Sequence, residues 1–310
     1  MPSDTQAAAS RVSRGPATGS LGLILPTFPQ DTDDLPAAAE LARVCRDAEA
    51  AGAGALWACD HLFWHRPALE TMGALALAAT ATDRAAIGSC VLQLPLRGAP
   101  AVAKEAAGLQ HLSAGRLVLG VGSGMHVGEY EAAGAAFAGR GRRLDDGIDT
   151  LKRLWSADGV ARYAQLPAPP PIPVWVGGSS EASLRRAAVR GDGWIPLFLS
   201  PDEYTAANAR LDKEADRAGR DPGDVERAIV VFASVGDNAT DRGLEWMSSL
   251  YGLPARAFAR HLVTGGARRC SAVIARYLEA GAHHVAVFLT TDHPSDQFAE
   301  LAGELRGQWS

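Results

Sequence analysis

The chain has 310 residues, 47% of them hydrophobic and 21% charged, which is enough apolar material for one large core of the size a single barrel domain reaches. A formal net charge of -5 at pH 7 excludes the broad basic face that binding to a phosphate backbone requires, so nucleic acid is not an expected partner. The four cysteines, Cys45, Cys59, Cys90 and Cys270, stand far apart with no Cys-x-x-Cys pair, which excludes a zinc knuckle or a dense disulfide framework and fits a cytoplasmic protein.

In chain order, residues 1–20 are small, polar and lightly basic; they lack the apolar stretch of a secretory signal peptide and read as a disordered tail. Residues 21–310 form the expected single domain. Short apolar runs there alternate with Ala-rich stretches of helical spacing, the pattern of a parallel sheet with helices packed outside it. The predicted strands are Leu21–Thr27, Ala55–Cys59, Ala85–Leu92, Leu117–Val121, Val174–Gly177, Trp194–Leu197, Ala228–Val235 and His284–Leu289.

Between them the spacing predicts helices over about 34–51, 67–80, 100–113, 144–155, 180–190 and 201–219. Pro36 in the opening turn of the first and Gly52 at its end mark its limits. The Pro-rich run 167–173 reads as a stiff connector. Between the seventh and eighth strands there is too much chain for one helix: residues 241–261 and 267–280 both look helical, with Gly265 and Gly266 between them, and the first of these is taken as an insertion. Eight such units make an α/β fold, a single (β/α)8 TIM barrel with insertions, whose site lies at the carboxyl ends of the strands. An open doubly wound sheet is the alternative architecture. No run of about 20 apolar residues is free of charge, so no membrane-spanning helix is expected.

On a barrel, the residues following each strand carry the chemistry, and four places stand out. After the second strand comes Cys59-Asp60-His61-Leu62-Phe63-Trp64-His65. Histidine transfers protons near neutral pH and an adjacent carboxylate sets its orientation; equally, Asp60 serves as a cap for the following turn and His61 as a polar surface residue. The third strand ends at Cys90-Val91, where a buried cysteine packs as a small hydrophobe more often than it reacts. The fourth is followed by Gly120-Val121-Gly122-Ser123-Gly124, glycines that let backbone approach a ligand closely, without the spacing of a dinucleotide fingerprint.

The fifth strand runs into Gly177-Gly178-Ser179-Ser180 at the start of a helix. Exposed N–H groups and the helix dipole make such a turn an anion site suited to phosphate, and a serine N-cap with no ligand explains the same residues. Arg140, Arg142 and Arg143 beside Asp145 and Asp146 read as a solvated ion-pair network. His283 and His284, adjacent on a strand, point to opposite faces and do not share a metal, and no metal site is expected.

These four places resemble the luciferase-like monooxygenase superfamily. The resemblance runs from about Leu21 to the last helix and is carried most specifically by Pro100 through Lys104-Glu105, Leu112-Ser113-Ala114-Gly115-Arg116, Gly120 to Gly124, Glu129-Tyr130, Arg140 to Arg143, Leu154-Trp155, Gly177-Gly178-Ser179 and Gly191-Asp192-Gly193-Trp194. It implies an oxidoreductase that holds coenzyme F420, with flavin mononucleotide (FMN) as the alternative, in the barrel mouth. Asp60 and His61 resemble the ring-contacting pair of the F420-dependent branch, with His61 and Asp60 as catalytic residues and His61 relaying the proton.

A non-proline cis peptide would fall at Cys90–Val91. Gly177, Gly178 and Ser179 would hold the phosphate, and Asp60, Cys90, Val91 and Gly124 would line the ring or its side chain. Met125 stands where the sugar-phosphate dehydrogenases of that branch carry an acidic residue, and the tryptophan after Asp-His is displaced to Trp64. The substrate pocket of Phe63, Trp64, Met125 and His126 therefore points to a less polar small molecule. The resemblance implies hydride transfer, with reduction of an activated C=C or C=N bond preferred and alcohol oxidation open, and a homodimer. The alternatives are an FMN-dependent monooxygenase using O2, and a non-catalytic flavin-binding or structural barrel.

Overall fold

Successive side chains of a strand face opposite sides of its sheet. In the computed structural model, which describes residues 15–29, 34–291 and 293–309, that alternation wraps a parallel sheet into a closed barrel. Its strands are β1 (Ser20–Ile24), β2 (Ala55–Ala58), β3 (Ala86–Ser89), β4 (Leu117–Gly122), β5 (Val174–Gly177), β6 (Gly193–Ile195), β7 (Glu226–Val235) and β8 (His284–Leu289). Each pairs in parallel with the next, and β8 closes the ring because His284 is in register with Ser20 of β1 and with Ala228 of β7. The eight-stranded barrel holds, and the open sheet does not.

The alternation is plain on β7. Ala228, Val230 and Phe232 belong to the cluster inside the barrel, while Ile229, Val231 and Ala233 face the helices. Burying one side chain of that size stabilises by about 1.5–3 kcal/mol relative to exposure, so a one-residue slip in register would exchange the two faces at prohibitive cost. Helices Ala38–Ala50, Thr71–Ala81, Ala99–Leu112, Arg140–Trp155, Glu181–Arg190, Pro201–Arg217, Ala267–Glu279 and Pro294–Trp309 form the outer layer. They pack Leu41, Leu75, Val102, Ile148, Leu184, Leu211, Ile274 and Leu301 onto the outward strand faces.

At the amino-terminal end the barrel is filled by Trp57, Trp175 and His284. A Cβ on Gly22 would fall 2.7 Å from Trp57 Nε1, and one on Gly193 would fall 2.5 Å from Trp175, so these glycines make room for the indoles. Trp57 Nε1–H donates to His284 Nε2 (2.9 Å), which leaves the ring hydrogen on Nδ1 to be donated to Ser20 Oγ (2.8 Å). Burial holds His284 neutral and pushes it down to about 3. A cavity of about 420 Å³ also lies at this end, between Pro16, Ala17, Gly54, Arg84, Ala114 and Arg116, away from the carboxyl ends of the strands.

Three features depart from the sequence reading. The third strand is not continuous: β3 stops at Ser89 and Leu92–Gln93 resumes as a short strand on Val121–Gly122 of β4, the break falling at a cis Cys90–Val91 peptide where the resemblance implied one. The insertion is not one helix but a helix (Ala239–Tyr251), a 3-10 turn (Ala255–Ala257) and a strand, Leu262–Gly265. That strand pairs with Phe232–Val235 of β7. Because β8 already occupies one edge of β7 at Phe232, the added strand takes the opposite edge, above β6. Of the expected tail, residues 1–14 lie outside the described residues. Gly15 abuts the Trp175 ring and Gly19 N–H donates to the His283 carbonyl (2.8 Å).

Candidate active site

β2 delivers Asp60 and His61 to the mouth, and the two serve different neighbours. Asp60 has a fully buried side chain. Its carboxylate accepts from the Thr71 hydroxyl (2.8 Å), the Gln93 N–H (2.8 Å) and the Arg97 guanidinium, at Nε (3.1 Å) and Nη2. The expectation that Asp60 orients the neighbouring histidine is therefore corrected: both oxygens are engaged in fastening β2 to the helix Thr71–Ala81 and to the segment after β3.

The carboxylate that meets His61 is Glu129, from the short helix Val127–Ala132 after β4. Its Oε2 lies 2.9 Å from His61 Nδ1, and its side chain is inaccessible to solvent. Oε1 also accepts from the N–H groups of Leu62 (2.8 Å) and Phe63 (3.2 Å), and the Gln93 amide donates to both oxygens. Burial alone would raise the Glu129 carboxyl, but the bond and charge of His61, the Phe63 N–H and the Gln93 amide outweigh it and hold the group below its ordinary value. An ionised Glu129 accepts a hydrogen from Nδ1 and leaves Nε2 of His61 without a protein partner among the described residues. Glu129 escaped the sequence reading as a site residue because nothing local ties it to a histidine 68 positions earlier.

The segment after β3 builds the floor. The Val91 methyl groups fill the space left by glycines of two other strands: a Cβ on Gly122 would fall 2.6 Å from Val91 Cγ2, and one on Gly177 would fall 2.7 Å from Cγ1. Gly120 passes the Ser89 carbonyl, 2.1 Å from where a Cβ would sit, and Gly124, at φ +66°, passes the Gln93 amide oxygen at the same distance. The glycine run was expected to bring backbone close to a ligand, and Gly124 and Gly177 to contact cofactor. What these glycines demonstrably accommodate is protein, namely the bulge at Val91 and the Gln93 side chain. Burial raises the Cys90 thiol well above its ordinary value and Cys59 raises it further, so Cys90 is a packed thiol beside the bulge.

At the end of β5 the anion-site reading and the capping reading coexist. Ser180 Oγ accepts from Ser183 N–H (3.2 Å) and caps the helix Glu181–Arg190, Ser179 Oγ donates to the Leu197 carbonyl, and Trp194 Nε1–H donates to the Gly178 carbonyl (3.0 Å). Gly178 has φ +101°, where a Cβ would also fall 2.7 Å from Ser183 Oγ. The backbone N–H groups of Gly178, Ser179 and Ser180 have no acceptor among the described residues, so three donors and a helix N-terminus share this one rim.

The Trp64 ring stacks on the His61 ring (3.9 Å, 28°) and meets His126 edge-on (5.1 Å). Its Nε1–H donates to the Leu250 carbonyl (3.0 Å), which ties the loop after β2 to the insertion helix. Of the expected substrate-pocket residues, Trp64 thus adjoins His61, and His126 packs on the edge of Trp64. Phe63 and Met125 stand on the outer rim, 52% and 76% exposed. The opposite wall was not anticipated: Phe198, at φ +60°, stacks on Phe232 (5.3 Å) and lies near Tyr251, Phe258 and His261. These rings come from three separate stretches of chain, and only the barrel brings them together.

The sequence pattern of luciferase-like monooxygenases matches residues 20–282. An uncharacterised protein of Mycobacterium tuberculosis is 36% identical over 165 residues, 50% of this chain and 57% of that protein. The phthiodiolone/phenolphthiodiolone dimycocerosates ketoreductase of the same organism is 29% identical over 199 residues, 58% of this chain and 52% of the ketoreductase. The chain spans just over half the length of the curated relatives it matches. An F420-dependent secondary alcohol dehydrogenase, solved in complex with an F420-acetone adduct, superposes with a TM-score of 0.79 over 94% of this chain and 99% of that one; at 18% identity the likeness is one of fold. With the family pattern covering most of its length and a closed barrel of the same architecture, the chain belongs to the luciferase-like monooxygenase family.

Proposed function

We propose that this oxidoreductase binds coenzyme F420 across the barrel mouth and exchanges hydride with a small, partly apolar molecule. The observation that carries the reading is the His61–Glu129 pair, a histidine locked at Nδ1 and open at Nε2, in the same mouth as the Cys90–Val91 bulge. The surroundings fit such a cofactor. Three unpaired N–H groups at the start of the helix Glu181–Arg190 suit a phosphate, and the bulge at Val91 offers an apolar shelf for a flat ring. F420, when bound, supplies the hydride chemistry.

The chain's own part is to hold, exclude and relay. Gly178, Ser179 and Ser180 grip the phosphate, Val91 and Cys90 support the ring, Trp64 shields His61 from water, and His61 moves a proton at Nε2. Asp60 acts at one remove, by fixing the loop. The sequence reading preferred reduction of a C=C or C=N bond. The names of the ketoreductase and the alcohol dehydrogenase favour a carbonyl–alcohol couple, which also gives His61 an oxygen to protonate, so we place that couple first. Among the described residues no helix is long and apolar enough to cross a membrane. The four free cysteines suit the cytoplasmic placement proposed with it, as a homodimer.

The test is titration of the protein with F420 and with FMN, each followed by its fluorescence, and then turnover of F420 by His61→Ala. Binding of F420 with His61→Ala at least about 100-fold slower supports the proposal. Binding of FMN alone with consumption of O2, or undiminished turnover by the variant, overturns it.

A further inference from the structure

The insertion carries one polar group that nothing above employs. Tyr251 ends the helix Ala239–Tyr251, and its ring packs against Phe258 (5.2 Å), Phe198 (5.8 Å) and Phe232 of β7 (6.2 Å). Burial raises its phenol, and the thiols of Cys59 and Cys90, which follow β2 and β3, raise it further. Phe232 belongs to the cluster inside the barrel, and Cys59, Trp64, Cys90 and Tyr251 all pack against that same cluster. The preceding residue, Leu250, accepts the Trp64 N–H, and Trp64 is stacked on His61, so the end of the helix that carries the tyrosine is tied to the ring that covers the histidine.

The Tyr251 hydroxyl has no hydrogen-bond partner among the described residues, yet it is not one of the sealed orphan atoms of the interior. It is a donor left free in an otherwise aromatic wall. We propose that Tyr251 donates a hydrogen bond to the oxygen of a planar, largely apolar ketone or of the corresponding alcohol, and so sets which carbon faces the cofactor. The inference rests on the F420 reading and narrows its substrate class. Burial keeps the phenol protonated far above neutral pH, so the donor is present throughout the working range. A hydroxyl among rings selects for an oxygen on a flat skeleton, because an oxygen-free analogue would cover the donor without pairing it.

The experiment compares, by calorimetry on the full chain with F420 present, the binding of acetophenone and of ethylbenzene to the wild type and to Tyr251→Phe. The wild type is expected to prefer the ketone by roughly 2- to 12-fold, the worth of one hydrogen bond. Tyr251→Phe brings the two ligands level by weakening the ketone, with ethylbenzene and F420 affinities unchanged as the internal measure of an intact site. A preference that survives in Tyr251→Phe, or none in the wild type, overturns the assignment. Absence of F420 binding to the wild type sinks the cofactor reading instead, and the ketone comparison then stands on the free protein.

Discussion

His61 Nδ1 and Glu129 Oε2 lie 2.9 Å apart although 68 positions separate them in the chain. The same carboxylate accepts the N–H groups of Leu62 and Phe63, so one buried charge fixes the ring tautomer and the path of the loop that carries the ring. Glu129→Gln keeps the shape and removes the charge. Turnover is expected to fall by about 10- to 100-fold and its pH dependence to move, with F420 affinity within a few-fold of wild type; an unchanged pH profile would leave Glu129 a loop anchor only.

Glu129 also enters the acid limb of stability. Its folded carboxyl is held below the unfolded value, so the ionised group stabilises above that unfolded value, and the contribution is lost as pH falls through the folded one. Urea midpoints measured from pH 6 down to pH 3 should decline less steeply in Glu129→Gln than in wild type.

His284 acts in a neighbouring window with the same sign. Its folded value is about 3 against an ordinary 6.5, so below 6.5 the unfolded chain binds the extra proton and stability falls as pH drops towards 3. The slope reaches at most about 1.4 kcal/mol per pH unit for one group. His284→Gln should be less stable at pH 7, through loss of the Trp57 and Ser20 bonds, and should lack this part of the slope between pH 6 and 4.

Gly177 and Val91 form a fitted pair. Gly177→Ala places a methyl about where the Val91 methyl groups already are and should cost about 1–3 kcal/mol by overpacking, with weakened F420 binding. Val91→Ala in the same chain removes both clashing atoms, so the double variant should be more stable than Gly177→Ala alone. Additive losses in the thermal midpoints would show that the two do not compete for space.

Trp64→Phe retains an aromatic face for His61 and deletes the N–H that reaches Leu250. Hydrogen exchange should quicken over residues 246–258, and KM should rise more than kcat falls if the loosened element is the substrate wall proposed above.

The barrel itself was readable because each strand announces its burial by composition, and eight such runs separated by helical spacing leave few alternatives. Asp60, His61, Val91 and Gly178 drew attention because they lie at or just after strand ends. What escaped notice depends on contacts across the ring. Glu129 finds His61 only once β4 lies two strands from β2, Phe198 and Tyr251 meet only when the insertion folds back, and the strand Leu262–Gly265 shows itself only by borrowing an edge of β7. The glycines are ambiguous for a related reason: a position without a side chain signals close approach but not of what, and at Gly122 and Gly177 the neighbour in the structure is Val91.

The borrowed edge of β7 divides labour within the mouth. The phosphate grip and ring shelf proposed for F420 fall to strands β3 to β5, whereas the aromatic wall hangs largely from a segment stitched to β7 by four residues. Exchanging that segment for another of different length should redraw what the mouth accepts and leave the proposed F420 site as it was.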